Sequence, residues 1–142
     1  MTTTRGVESA RQALKVAFGV VPFVAGLDKF FNLLTDWPRY VSPLAAAILP
    51  VSPQTFMYVA GIVEMAVGLA ILTRWTALAS WVAAGWLVAI ALNLLSGGMF
   101  LDVAARDLVM ATGACTLARL TEAHDAGAIT ATTEHGRLGQ VA

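Results

Sequence analysis

Four stretches of about twenty mostly apolar residues alternate along the chain with short polar or proline-rich segments. They run from about Leu14 to Leu34, Gln54 to Thr73, Trp75 to Leu95 and Met99 to Leu120. Hydrocarbon is about 30 Å thick and a helix rises about 1.5 Å per residue, so each stretch is long enough to cross it. A lone hairpin or open sheet would leave backbone groups unpaired in lipid, which makes helix the predicted form. The third stretch carries no charge. It therefore has no polar face to offer water, and a water-soluble bundle is excluded. The predicted fold class is all-α: an integral membrane four-helix bundle over residues 1–120, then a polar, mobile tail over residues 121–142.

The connections sharpen this plan. Thr35 to Pro53 is the long one and holds Pro38, Pro43, Pro50 and Pro53. Leu44 to Leu49 lies between prolines and is too short to span, so it predicts a short helix at the outer surface. The second and third helices are joined only through Thr73–Trp75 and must be antiparallel neighbours. Ser96-Gly97-Gly98 reads as a turn. If four helices cross, Arg5, Arg11, Lys15, Arg74, Arg119 and Arg137 share one side, and Arg39 lies on the other. The positive side is cytoplasmic, which places both termini there. Trp75 falls at the inner boundary, and Trp37 and Tyr40 fall at the outer one. The first segment is not a cleaved leader, because Asp28, Lys29, Asp36 and Arg39 separate its apolar run from the small residues Ala45–Ala47.

Composition narrows the chemistry. The chain has 142 residues, 58% hydrophobic and 13% charged, with a net charge of zero and a mean hydropathy of +0.72. Soluble domains carry about 25% charged residues. A disordered chain, a nucleic-acid binder and an ordinary soluble enzyme are excluded. Cys115 is alone, which excludes an internal disulfide and a paired-thiol redox centre; it reads as a small packing residue. Both histidines, His124 and His135, lie in the polar tail, so a bis-histidine haem has no ligands in the membrane. There is no glycine-rich nucleotide loop and no convergent Ser–His–Asp set. No cofactor has recognisable protein ligands, and no metal site is predicted.

The candidate site is an intramembrane polar cluster: Asp28, Lys29, Glu64, Asn93, Asp102, Arg106 and Asp107. Each such charge costs about 2.5–3.5 kcal/mol to insert, so these groups face protein or water and find partners. Asp28 and Asn32 share a face at i, i+4, with Lys29 beside them. Glu64 shares a face with Gly61 and Gly68, where a second backbone can come close. Asp102, Arg106, Val109 and Gly113 form one stripe of the fourth helix, and Asp107, Ala111, Ala114 and Ala118 form the next. Pro22 should kink the first helix. Helical rise puts the cluster in the outer half of the membrane, with Glu64 deepest. An Arg106–Glu64 ion pair is expected, with Asp28 or Asp102 as a further carboxylate and Lys29 as the competing cation. Two readings of the cluster stand side by side: a structural ion network that fixes register, and a ligand or proton site.

Three stretches resemble the DoxX-like family of small four-helix bacterial membrane proteins. They are Gly26-Leu27-Asp28-Lys29-Phe30, Gly61-Ile62-Val63-Glu64 leading into Gly68 and Thr73-Arg74, and Asp102-Val103-Ala104-Ala105-Arg106-Asp107-Leu108. Their order and spacing match over residues 11–120. The resemblance implies a multi-pass protein of the bacterial cytoplasmic membrane with a quinone-linked association, and it marks Lys29, Glu64 and Arg106 as characteristic polar positions. It assigns no catalytic residue. The expected role is a non-catalytic subunit or accessory protein of a larger electron-transfer complex. Its partners would be the bilayer and other subunits or further copies of itself, and not nucleic acid. The alternatives are a quinone-binding subunit and, behind it, a small proton-coupled transporter.

Overall fold

The computed structural model describes the backbone of residues 2–139 and the side chains of residues 5–128. The regular structure of the described residues is all helical: α1 (Thr2–Asp28), a 3-10 turn at Trp37–Tyr40, α2 (Pro43–Ile48), α3 (Pro53–Leu72), α4 (Thr76–Gly97) and α5 (Leu101–Gly139). Three helices are long and apolar enough to cross a membrane, over Arg5–Asp28, Pro53–Leu72 and Thr76–Gly97. That is the signature of a membrane protein. The fourth stretch is helical too, but Asp102, Arg106, Asp107 and Arg119 leave it less apolar than the other three.

Local chemistry sets the ends. Ser42-Pro43 and Ser52-Pro53 start α2 and α3. Each serine hydroxyl accepts from the backbone amide three residues on, Ala45 or Thr55, and each proline takes the first turn, where no amide is needed. Gly98 ends α4 with φ of +62°, the left-handed conformation that glycine adopts without cost. The first helix differs from expectation at both ends. It begins near the N-terminus and stops at Asp28, not Leu34. Past that point the Asp28 carboxylate accepts the amides of Leu33 and Leu34, at 3.1 and 3.0 Å. Asn32, at φ +52°, turns the chain away. Asn32 is exposed in this turn, so it does not share a helix face with Asp28. The polar segment after Leu120 also differs from expectation, since α5 runs through it unbroken to Gly139. Arg137 and His135 lie outside the residues whose side chains are described.

The long helices pack as two intimate pairs, α1 with α3 and α4 with α5, and the pairs meet each other less closely. The α1–α3 seam is built on glycine. Gly26 faces Gly61 and Gly19 faces Gly68, so the helices run antiparallel. A Cβ on Gly61 would sit 2.5 Å from the Gly26 carbonyl oxygen, and one on Gly68 2.5 Å from that of Gly19. Only glycine permits this approach. The α4–α5 seam is built on alanine: Ala79, Ala83, Ala91, Ala104, Ala111, Ala114 and Ala118 are all buried. The stripe through Asp107, Ala111, Ala114 and Ala118 thus faces inward. Buried hydroxyls bond to their own helix, as Ser80 does to the Thr76 carbonyl and Thr121 to that of Leu117. Thr76, also buried, donates instead to the Ile71 carbonyl at the end of α3 and so ties that helix to α4.

At the end away from α2, Lys15 donates to the Thr73 carbonyl, and Arg119 lies over the Trp81 ring while the Trp81 indole donates to Glu122. Large apolar side chains such as Val20, Val59, Ile62, Leu78 and Val109 cover the outward faces, the pattern expected of surface turned to lipid.

Candidate functional site

The two helix pairs close on one another at the end away from α2. There Phe18, Ile71, Ala79, Ala83, Ala84, Ala114 and Leu117 form a continuous core. Toward α2 they part, and a cavity of about 710 Å³ opens between them. Ligand sites usually fall between about 300 and 1,000 Å³. Its walls are mainly apolar and aromatic, with Phe18, Phe56, Met57, Trp86, Leu87 and Met110 among them. Trp37 and Tyr40 of the 3-10 turn, with Ala45, Ile48 and Leu49 around α2, form its roof.

Glu64 of α3 is the deepest polar group. One carboxylate oxygen meets the Lys29 ammonium at 2.6 Å, and the other accepts the Trp86 indole N–H at 3.2 Å. Lys29 is 4% exposed and Glu64 8%, so the pair is nearly dry. Its stem passes Gly61: a Cβ there would lie 3.2 Å from the Lys29 Cβ. The absence of a side chain at Gly61 therefore lets Lys29 reach one turn down α3 to Glu64. The ammonium also sits 3.7 Å from the centroid of the Trp37 ring, where the ring's negative face stabilises a cation. The Trp37 indole in turn donates to Asp28 at 2.8 Å. Asp28, Trp37, Lys29, Glu64 and Trp86 thus form one chain linking α1, the roof, α3 and α4.

The expected Arg106–Glu64 pair is not formed; Lys29, the competing cation, takes Glu64. Helix rotation explains the outcome. Buried Ala104, Ala111, Ala114 and Ala118 define the inner face of α5, and Asp107 belongs to it. Arg106 lies one position round, on the stripe with exposed Asp102 and Val109, so it reaches the cavity from its edge and makes no salt bridge with Glu64.

The seven predicted site residues therefore divide. Lys29, Glu64, Asn93, Arg106 and Asp107 line the cavity, whereas Asp28 and Asp102 do not. Asp28 instead anchors the turn after α1. Asp102 is exposed in the first turn of α5, where a carboxylate suits the helix dipole. Asn93 is committed to holding the roof: it accepts the Ser42 amide at 3.1 Å and donates to the Tyr40 carbonyl at 2.7 Å. Among the described residues, Arg106 and Asp107 make no salt bridge and no side-chain hydrogen bond. The cavity therefore carries one satisfied ion pair and two polar groups free to engage a ligand. Sequence reasoning missed Trp86 and the roles of Gly19 and Gly26. The matching seven-residue spacings, Gly19 to Gly26 and Gly61 to Gly68, are the signal that could have found the glycine seam. Nothing in the sequence singled out Trp86 from the other tryptophans.

No protein-family model, curated protein or solved structure matches the chain.

Proposed function

We propose that the chain is a DoxX-like protein of the bacterial cytoplasmic membrane that serves a larger electron-transfer complex as a non-catalytic subunit, binding a quinone in the cavity. In this reading α1, α3, α4 and the first half of α5 form a membrane-crossing four-helix bundle. Both termini lie on the cytoplasmic side with Lys15, Arg74 and Arg119, and α2 lies at the outer surface. The observation that carries the proposal is the cavity itself, a ligand-sized apolar space with unpartnered Arg106 and Asp107 in its wall beside the Lys29–Glu64 pair.

The residues suit the group. The apolar and aromatic walls match a substituted ring, and the Arg106 guanidinium and the Lys29 ammonium can donate to carbonyl oxygens. A bound quinone carries electrons and protons together through lipid. Glu64 and Asp107 are carboxylates that can hold or release a proton beside it. The sequence offers no haem or paired-thiol ligands, so a partner subunit supplies the electrons.

The test is thermal unfolding of the purified protein with decylubiquinone. Ligand at about one hundred times its Kd should stabilise the fold by about 2.7 kcal/mol. Arg106→Gln should unfold at the wild-type temperature without ligand and lose most of that gain. An unchanged melting temperature of the wild-type protein across the titration refutes quinone binding.

A further inference from the structure

Four residues that line the cavity are also exposed on the outside of the protein: Val21, Arg106, Ile48 and Ala89. Such side chains mark where the cavity approaches the outer surface. The four fall into two groups on different elements. Val21 and Arg106 flank the α1–α5 side, where Phe18 closes against Gly113 deeper in and the helices part beyond it. Ile48 of α2 and Ala89 of α4 are the exposed lining residues away from α1 and α5, and Phe56 of α3 lines the same cavity.

The two openings differ in chemistry. The first carries the free guanidinium of Arg106 and adjoins Asp107. The second is rimmed by Ile48, Phe56 and Ala89 and is wholly apolar. Ile48 is 73% exposed while still lining the cavity. α2 is tied to α4 at its Ser42 end, through Asn93 and Ser96, and among the described residues no hydrogen bond ties its Ile48 end to α3 or α4, so the second opening lies beside the untied end. It lies on a face whose neighbours, Leu44, Val59 and Leu92, are also exposed and apolar. A window of this kind opens into lipid, because apolar surface at membrane depth is stable against acyl chains and not against water.

We infer that the cavity takes an amphiphile with a compact polar head and a long apolar tail, the head lying against Arg106 and Asp107 and the tail leaving through the Ile48–Phe56–Ala89 window into the membrane. The inference rests on the cavity being a binding site and adds the class of ligand and its route. A small water-soluble ligand would have no use for a lipid-facing exit and would enter at the polar opening.

The test reads access first, without assuming any ligand. In a Cys115→Ser background, Met57→Cys places a thiol in the cavity wall beside Phe56. The protein in lipid nanodiscs is treated with an N-alkyl maleimide that partitions into the bilayer, or with a sulfonated maleimide that stays in water. The alkyl reagent should label this thiol faster. Adding Ile48→Trp should slow it about tenfold, the effect of a barrier of overpacking size. Leu69→Trp, on an exposed face of α3 outside the cavity, should not slow it. Faster labelling by the sulfonated reagent, or indifference to Ile48→Trp, overturns the window.

A second arm compares decylubiquinone with its tail-less parent ring. The tailed form should bind more tightly, and Ile48→Trp should weaken only the tailed form. Equal binding of both, unaffected by Ile48→Trp, overturns the tailed-ligand assignment and leaves quinone binding standing. Window-dependent labelling with no response to either quinone upholds the route and removes quinone as the ligand.

Discussion

The two ends of this molecule solve the same problem in opposite ways. Away from α2, small apolar residues bring the two helix pairs together, the buried Ser80, Thr121 and Arg11 bond within their own helices, and the polar contacts of Lys15 with the Thr73 carbonyl and of Trp81 with Glu122 lie at the exposed surface. Toward α2, the pairs part around a cavity, and the polar groups reach between elements: Lys29 to Glu64, Trp86 to Glu64, Trp37 to Asp28 and Asn93 to the roof. The closed end depends on shape and the open end on charge. The Lys29–Glu64 pair lies across the glycine seam of α1 and α3, and Trp86 extends it to α4 across the gap between the helix pairs. In this structure the space suited to a ligand and the charges that could bind it lie together at the open end.

The largest expected effects test the charges. Glu64→Gln or Lys29→Met alone leaves a buried partner uncompensated and should cost about 3–5 kcal/mol. The double substitution should be far less harmful than the sum of the two. Unfolding of all three proteins in denaturant forms a double-mutant cycle. Arg106→Gln, combined with Glu64→Gln, should show no such coupling.

Shape comes next. Gly61→Ala drives a methyl group against the Gly26 carbonyl and should lower folded yield and melting temperature by an overpacking cost of about 1–3 kcal/mol. Gly85 has open space around its Cβ position. Gly85→Ala should therefore be neutral or raise stability by up to about 1 kcal/mol, the helix-propensity gain. Circular dichroism melts of the two variants side by side give the contrast. Equal destabilisation by both would show that the glycine seam is not what joins α1 to α3.

A smaller effect is expected at the turn after α1. Asp28→Asn keeps the side-chain shape but removes the charge that strengthens its bonds to Leu33, Leu34 and Trp37. The loss should be about 1–2 kcal/mol, with faster amide exchange at Leu33 and Leu34. The fold elsewhere should be unchanged.

Much of the architecture was legible in the sequence because lipid imposes a coarse rule. An apolar run of about twenty residues has to be a helix, and this holds for α3 and α4 within a few residues. The short helix between prolines is present as α2. The end of α1 was not legible, since apolar residues continue past Asp28 and the helix stops for a side-chain reason. The extension of α5 to Gly139 was missed because that segment lacks an apolar face, and helix formation there does not depend on one. At the site, the sequence identified the charges but not their pairing. Glu64 was expected to find a cation, and the identity of that cation turns on the rotation of α5 and on the room Gly61 leaves for Lys29. Both are properties of packed helices, and linear spacing does not carry them.

The central claim is that the space beside Lys29 and Glu64 is a binding site and not a gap in packing. Ala60→Leu tests it most directly. Ala60 is buried and lines the cavity from α3, one turn from Glu64, so a leucine there takes up part of the space beside the ion pair. Equilibrium binding of decylubiquinone is followed by quenching of tryptophan fluorescence in the wild-type and filled proteins. The account predicts saturable binding by the wild type, and for the filled protein an unchanged or raised melting temperature with affinity reduced at least about tenfold, or 1.4 kcal/mol. Equal affinity in the filled and wild-type proteins would contradict it.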